Sequence, residues 1–112
     1  MPVIDQTTFN DLKQMSGDDF INELIDTFLD DAPRMIAEIK SGLAANDAET
    51  FRRAAHSMKS NAATFGAGDL ATQAKELERL GKENKLAETG DRLKSLEEAY
   101  VTVSEELKRL KS

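Results

Sequence analysis

The sequence predicts an all-α protein: an up-down antiparallel four-helix bundle with a short extra helix at its N-terminus. Its 112 residues are 32% charged and only 5% aromatic, a balance typical of helical proteins. Apolar residues recur every three or four positions along most of the chain, which is the period of an α-helix with one buried face. Because the polar connections between these segments are short, consecutive helices should lie antiparallel. At this length we expect residues 1–112 to form a single domain.

The first helix is predicted to be short, from about Thr7 to Met15, where apolar side chains recur at helical spacing. The Ser16-Gly17-Asp18 cluster should end it, because serine and glycine favour turns over helix interiors. Asp18 is then the expected N-cap of the next helix.

The second helix is long and contains Pro33. Because proline lacks a backbone N–H and crowds the preceding turn, we expect a kink or break near Asp31 and Ala32, with Asp30 and Asp31 on the surface. The apolar face keeps one register on both sides of the proline. Its members are Phe20, Ile21, Leu24, Ile25, Phe28, Leu29, Met35, Ile36, Ile39 and Leu43.

The third and fourth helices should form a hairpin. The pair Asn46-Asp47 signals the start of the third helix, and Gly66 and Gly68 signal its end. Asp69 should open the fourth helix and Gly81 should stop it. Small residues on both helices would allow their backbones to approach closely, and these are Ala54, Ala55, Ala62, Ala71 and Ala74.

A last helix is predicted from apolar residues that step by three and four positions in turn, the narrow seam of bundle packing. They are Leu93, Leu96, Tyr100, Val103, Leu107 and Leu110. This seam could instead pair with another chain, which would make the protein a structural adaptor.

Composition excludes several functions. The net charge of -6 opposes binding to nucleic acid or to anionic membrane surfaces. The absence of cysteine removes disulfides and thiolate chemistry, and a single histidine rules out a multi-histidine metal site. No basic leader and no apolar stretch of about 20 residues is present, so we expect a cytoplasmic protein.

The single histidine, His56, is predicted to face solvent. Phe51 marks the centre of the apolar face, and a helical projection places His56 about 140° away from it. Two small residues, Ser60 and Ala63, follow it on the same face and leave the ring approachable. Positive charge gathers around it from Arg52, Arg53 and Lys59. Taken alone, however, an exposed histidine is more often an ordinary surface residue, and both arginines could pair with acids of their own helix.

The stretch from Ala55 to Ala67 resembles the histidine-containing phosphotransfer (HPt) domain family. It combines a histidine, a lysine three residues later, and a Gly-Ala pair ten and eleven residues later at the helix end. The next helix adds Leu70-Ala71 and the pair Leu77-Glu78. A helical pattern similar to that of the HPt domain family extends from residue 7 to residue 110.

The resemblance implies that His56 is phosphorylated and that Lys59 favours the phosphorylated state or stabilises the transferring group. Glu78 occupies a position where the family often has a polar residue that hydrogen-bonds the imidazole, and Lys82 would add positive charge one turn further on. Arg52, Arg53, Ser60, Ala63 and Lys82 would contact the partner. Two departures from the family pattern are Ser60, where glycine is most common, and Glu78 in place of a neutral amide.

The resemblance also implies the partners, which are receiver domains of response regulators or a hybrid sensor histidine kinase. The chain itself would hold no cofactor or metal, because Mg²⁺ belongs to the receiver. No nucleotide-binding loop is present, so we expect a phosphoryl carrier without kinase activity of its own. A complete bundle predicts a monomer.

Two further alternatives fit the sequence less well. The dimerisation domain of a sensor kinase would have an acidic residue directly after the histidine, where this chain has Ser57, and a proline nearby. A metal-dependent bundle enzyme would need a Glu-x-x-His motif, and Arg53 stands in the place of that glutamate.

Overall fold

The computed structural model describes residues 3–111, which form five α-helices and one short 3₁₀ turn. The helices are α1 (Gln6–Ser16), α2 (Asp18–Ala44), α3 (Ala48–Thr64), α4 (Gly68–Lys82) and α5 (Arg92–Leu110), and the 3₁₀ turn is Leu86–Glu88. Helix α2 packs against α3 and α5, and α4 packs against the same two helices, so that these four close a ring. The predicted all-α bundle with an extra N-terminal helix is confirmed.

The core lies inside this ring and receives apolar side chains from every helix. Phe28 stacks at a tilt on Phe65, with ring centroids 5.4 Å apart, and meets Tyr100 edge-on at 5.9 Å. Most of the α5 seam is buried against this core. The face that an adaptor would offer to another chain is therefore used inside the bundle.

Helix α2 and helix α5 run antiparallel, as ion pairs at both ends show. Lys40 bonds Glu97 at 3.1 Å, and Lys111 bonds Asp26 at 2.7 Å. Helix α1 crosses the end of the bundle against α2 and α3. Within residues 3–111, no helix is long and apolar enough to cross a membrane.

The break that Pro33 was expected to cause near Asp31 and Ala32 is absent. Helix α2 is continuous from Asp18 to Ala44. Proline removes the bond that its own N–H would donate to the carbonyl of Leu29, and the Tyr100 hydroxyl lies 3.5 Å from that oxygen. Ala32 and Ile36, on either side of the proline, are both buried in the core. Packing of one apolar face therefore keeps the helix in register where local chemistry favours a break.

Two predicted helix starts are wrong by one residue. Gly17, with φ of +84°, is the N-cap of α2. Asp18 lies in the first turn of the helix, where the positive end of the helix dipole stabilises a carboxylate. Helix α4 begins at Gly68 after the N-cap Ala67, so Asp69 likewise lies in the first turn.

Gly81 does not stop α4. The helix ends at Lys82, and Asn84 takes the left-handed conformation with φ of +57°. The N–H of Asn84 then donates to the carbonyl of Gly81 and the N–H of Lys85 to that of Leu80, which satisfies the free carbonyls of the last turn. Asparagine performs the role that the sequence suggested for glycine.

Two apolar side chains of the predicted helical faces are exposed rather than buried. Met15 at the end of α1 is 85% exposed, and Phe20 in the first turn of α2 is 51% exposed. Both lie near the end of the bundle, where fewer helices surround them.

Candidate functional site

Helix α3 holds His56 on its solvent side. The N-cap of the helix is Asp47, whose carboxylate accepts a hydrogen bond from the backbone N–H of Thr50 at 3.2 Å. The last helical residue is Thr64, and Gly66, two residues later, takes the left-handed conformation with φ of +79°. The opposite face is buried through Phe51, Ala54, Ala55, Met58 and Ala62. The His56 side chain is 53% exposed, which confirms its predicted outward orientation.

Glu78 on α4 joins the two predicted site residues of α3. One carboxylate oxygen, Oε2, lies 2.6 Å from Nδ1 of His56, and the other, Oε1, accepts a hydrogen bond of 2.6 Å from Nζ of Lys59. The Glu78 side chain is only 17% exposed, whereas Lys59 is 31% exposed. One largely buried carboxylate thus holds both side chains from below.

The charge state of Glu78 decides which ring nitrogen is free. Burial raises the pKa of Glu78, but the hydrogen bonds from Lys59 and His56 outweigh burial and hold the pKa below its ordinary value of 4.5. At neutral pH the carboxylate is therefore ionised and can only accept hydrogen bonds. Nδ1 of His56 must carry a proton to donate, which leaves the lone pair of the neutral ring on Nε2, on the far side from Glu78.

Close packing of α3 on α4 brings these side chains together. A Cβ atom at Gly81 would lie 2.9 Å from Cβ of Arg52 and 3.1 Å from the carbonyl oxygen of Ala48. Only glycine allows the helices to approach so closely at this point. Glu78 stands one turn before Gly81, so the same close approach places its carboxylate under His56.

Both arginines beside His56 have a partner within their own helix. Arg52 forms two hydrogen bonds with Glu49, and Nε of Arg53 lies 3.5 Å from the same carboxylate. Their positive charge is therefore partly neutralised, as one of the sequence alternatives anticipated.

The small residues and the last lysine of the predicted site lie on the surface. Ser60 and Ala63 are exposed on α3, and Lys82 is exposed on α4. Lys82 shares a shallow groove with Lys59 and Glu78. The structure thus places Lys59, Glu78 and Lys82 in one groove formed by α3 and α4, whereas Arg53 lies toward α2.

A second groove, on the α2 side of α3, was not predicted. It lies between α2 and α3, and its polar lining consists of Asp31, Arg34, Glu38, Arg53 and Ser57. Helical spacing places Arg34 and Glu38 on one side of α2. The sequence could not show that this side meets α3, because that depends on how the two helices are rotated against each other.

The residues that the structure describes include no cluster of three or more histidine, cysteine, aspartate or glutamate side chains with the geometry of a metal site. The charged cluster at His56 is the Glu78 carboxylate with its two α3 partners.

The Glu78 contacts should appear as a pH-dependent difference in stability. We expect Glu78→Gln to lower the free energy of unfolding at pH 7 by about 1 kcal/mol, because the ionised carboxylate accepts bonds from both partners. A lowered folded-state pKa means that this contribution is complete above pH 4.5 and is lost as the pH falls through the folded-state value. Urea unfolding between pH 5 and pH 3 should therefore show the difference from wild type shrinking.

The matched control is Glu98→Gln on α5, whose exposed carboxylate makes no ion pair in the described part of the chain. Its effect should stay within about 0.5 kcal/mol at pH 7. A Glu78→Gln difference that persisted unchanged to pH 3 would show that the carboxylate charge contributes nothing.

Comparison with known proteins identifies the fold and the family. The family model described as Hpt domain matches residues 23–112. The chain belongs to the Hpt domain family. The crystal structure of histidine-containing phosphotransfer protein B from Pseudomonas aeruginosa PAO1 superposes on this Hpt domain with a TM-score of 0.91 and 27% sequence identity, covering 98% of this chain and 95% of that one. Comparison with curated protein sequences found no match.

The function of this Hpt domain is histidine phosphotransfer in phosphorelay signalling. Hpt domains act as phosphoryl carriers that interact with receiver domains or kinases.

Proposed function

We propose that His56 carries the phosphoryl group on Nε2 and relays it between aspartates of receiver domains. The observation that carries this proposal is the bond between Nδ1 and the Glu78 carboxylate at 2.6 Å, on a half-exposed ring. That bond leaves the nucleophilic lone pair on the nitrogen that points away from Glu78. His56 is also the only histidine of the chain.

In the forward step, the Nε2 lone pair attacks the phosphorus of an aspartyl phosphate on the receiver. The N–P bond forms as the P–O bond to the aspartate breaks, and that electron pair returns to the aspartate as a carboxylate. The ring gains positive charge while Nδ1 keeps its proton. In the next step a second aspartate carboxylate attacks the phosphorus, and the electron pair of the N–P bond returns to Nε2.

Glu78 is the positioning residue in this scheme. Its carboxylate fixes the ring tautomer and stabilises the positive charge that develops on the imidazole. Lys59 compensates the Glu78 charge, so that the carboxylate does not repel the incoming phosphoryl group. This arrangement explains how a carboxylate can replace the neutral amide that is common at this position of the family.

Lys59 also stabilises the transferring phosphoryl group. Its ammonium lies one helical turn from His56 and is partly exposed. As the ring becomes positive and itself compensates the Glu78 charge, the ammonium can turn toward phosphoryl oxygens above the ring. It supplies positive charge that the phosphohistidine would otherwise lack.

The partners in this proposal are receiver domains of response regulators or of a hybrid sensor histidine kinase. The receiver holds Mg²⁺, and this chain acts in the cytoplasm as a monomeric carrier without kinase activity of its own. The receiver approaches over Ser60 and Ala63, whose small exposed side chains leave the ring accessible. Arg52, Arg53 and Lys82 border this approach.

The deciding experiment is phosphotransfer from a panel of phosphorylated receiver domains. At least one receiver should label the chain with about one phosphoryl group, and the label should be lost in acid and retained in base, as expected for a phosphoramidate. If no receiver labels the folded chain, the proposal is wrong and the exposed face has a purely structural role.

Replacing Lys59 should slow transfer without unfolding the chain. We expect Lys59→Ala to lower the transfer rate about tenfold, equivalent to about 1.4 kcal/mol of lost transition-state stabilisation. Single-turnover transfer from a saturating receiver measures this. Lys59→Arg should restore part of the rate, and Lys94→Ala on α5 is the exposed control. An unchanged rate in Lys59→Ala would remove Lys59 from the mechanism.

A further inference from the structure

Most cations of this chain are already neutralised by an intramolecular partner. Among the 15 lysines and arginines, all of which lie in residues 3–111, ten are ion-paired. The five without an ion pair or side-chain hydrogen bond in the described residues are all exposed. They are Arg34, Lys75, Lys82, Lys94 and Lys108.

Two of these five unpaired cations lie on the α4 side of His56. Lys75 and Lys82 line the groove on α4 that also contains Lys59 and Glu78, the residue bonded to His56. On the α2 side, Arg34 shares its groove with the carboxylates of Asp31 and Glu38. The excess of unpaired positive charge near the ring therefore lies on the α4 side.

The two remaining unpaired cations lie elsewhere. Lys94 and Lys108 belong to α5, which packs against α2 and α4 and lies across the bundle from α3. They provide a matched reference, since they share residue type and exposure with Lys75 and Lys82 and also lie on a helix.

An unpaired cation interacts with an external anion more strongly than one that is already neutralised. The chain as a whole carries a charge of -6 and repels an anionic partner, so association with one depends on local positive charge. A receiver that presents an aspartyl phosphate beside the carboxylates of a Mg²⁺ site is such a partner.

We propose that Lys75 and Lys82 form a cationic frame on α4 that steers an acidic receiver surface onto His56 and sets its orientation. This inference rests on the proposed phosphotransfer function and adds Lys75, a residue that the sequence pattern did not single out. Because both members of the frame lie on α4 and the α2 side carries Asp31 and Glu38, the charges distinguish the two sides of α3. A receiver whose acidic residues match that asymmetry docks in one orientation.

Stabilisation of helix ends does not account for the whole frame. Lys82 lies in the last turn of α4, where the negative end of the helix dipole stabilises a cation. Lys75 lies in the middle of α4, where the dipole has little effect. Its exposed charge has no ion pair or side-chain hydrogen bond in the described structure.

The test compares two double variants that change the net charge equally. Lys75→Gln with Lys82→Gln removes two charges of the frame, and Lys94→Gln with Lys108→Gln removes two from α5. For a receiver that labels the wild type, the second-order transfer constant is measured at low receiver concentration and the rate at saturation is measured separately. Both are repeated over a range of salt concentrations, and thermal unfolding checks that each variant is folded.

We expect the α4 pair to lower the second-order constant about tenfold at low salt and the α5 pair to lower it less than twofold. The rate at saturation should change little, because the frame acts on association. The difference between the pairs should vanish near 1 M salt, where the screening length is about 3 Å. Lys75→Arg with Lys82→Arg, which keeps both charges, should keep the constant of the wild type.

Equal behaviour of the two pairs, or an effect confined to the rate at saturation, would overturn the frame while leaving phosphotransfer intact. If no receiver labels the wild type, the proposed function fails first and the frame fails with it. The two failures are therefore distinguishable.

Discussion

The His56→Gln variant should accept no phosphoryl group from any receiver that labels the wild type. Its amide nitrogen has no nucleophilic lone pair, and the chain has no second histidine to replace it. Labelling should fall to the background of the assay.

The same variant should remain folded, which separates chemistry from structure. The His56 side chain is half exposed, and a glutamine amide can still donate a hydrogen bond to Glu78. We expect the free energy of unfolding to change by no more than about 0.5 kcal/mol, as is usual at surface positions. Circular dichroism and thermal unfolding check this before transfer is measured.

Acid-labile label that persisted in His56→Gln would exclude histidine as the carrier. Label that was stable in acid would point to a serine or threonine instead. The control is Lys108→Gln on α5, which should be labelled like the wild type, since it alters an exposed polar side chain far from α3.

The second large effect is expected at Gly81, where a single methyl group should destabilise the bundle. In Gly81→Ala the new Cβ would lie 2.9 Å from Cβ of Arg52 and 3.0 Å from its Cα, neither of which can move without moving α3. Overpacking of this kind costs about 1–3 kcal/mol, which exceeds the helix propensity gained from alanine. The melting temperature should fall by roughly 5–15 °C.

Gly81→Ala should also reduce phosphotransfer. Moving α3 away from α4 lengthens the contacts of Glu78 with His56 and Lys59, so the ring loses its orienting partner. We expect transfer to slow even at temperatures where the variant is fully folded. Single-turnover transfer at 20 °C, compared with the melting curve, measures both effects on one sample.

The matched control is Gly68→Ala at the start of α4. Nothing lies within 4 Å of a Cβ atom at that position, and the backbone is not left-handed. Gly68→Ala should therefore be neutral or stabilise the fold by up to about 1 kcal/mol, with normal transfer. If the two alanine variants unfolded at the same temperature, the close approach of α3 and α4 at Gly81 would not limit stability.

The Glu78 cluster also bears on how this chain differs from the common family pattern. With an amide at position 78, Lys59 would have no carboxylate to bond and would be free to meet the phosphoryl group. Here Lys59 is held by Glu78 at 2.6 Å until phosphoryl oxygens compete for it. The Glu78→Gln and Lys59→Ala variants together separate orientation of the ring from stabilisation of the phosphoryl group.

The sequence by itself determined the helices and the outward face of α3, because both follow from local rules. Apolar spacing defines which side of each helix is buried, and that spacing placed His56 opposite Phe51 without knowledge of any neighbour. The start of α3 after Asp47 and its end before Gly66 followed equally from capping chemistry.

Tertiary structure decided whatever depends on two helices at once. Glu78 lies 22 residues from His56, and the two meet only because Gly81 lets α4 approach α3 in one register. The continuity of α2 through Pro33 likewise depends on core packing, which outweighs the local preference for a break. Helical periodicity specifies the direction of a side chain from its own axis, whereas the distance to a partner on another helix is set by interhelical packing, which no local pattern encodes.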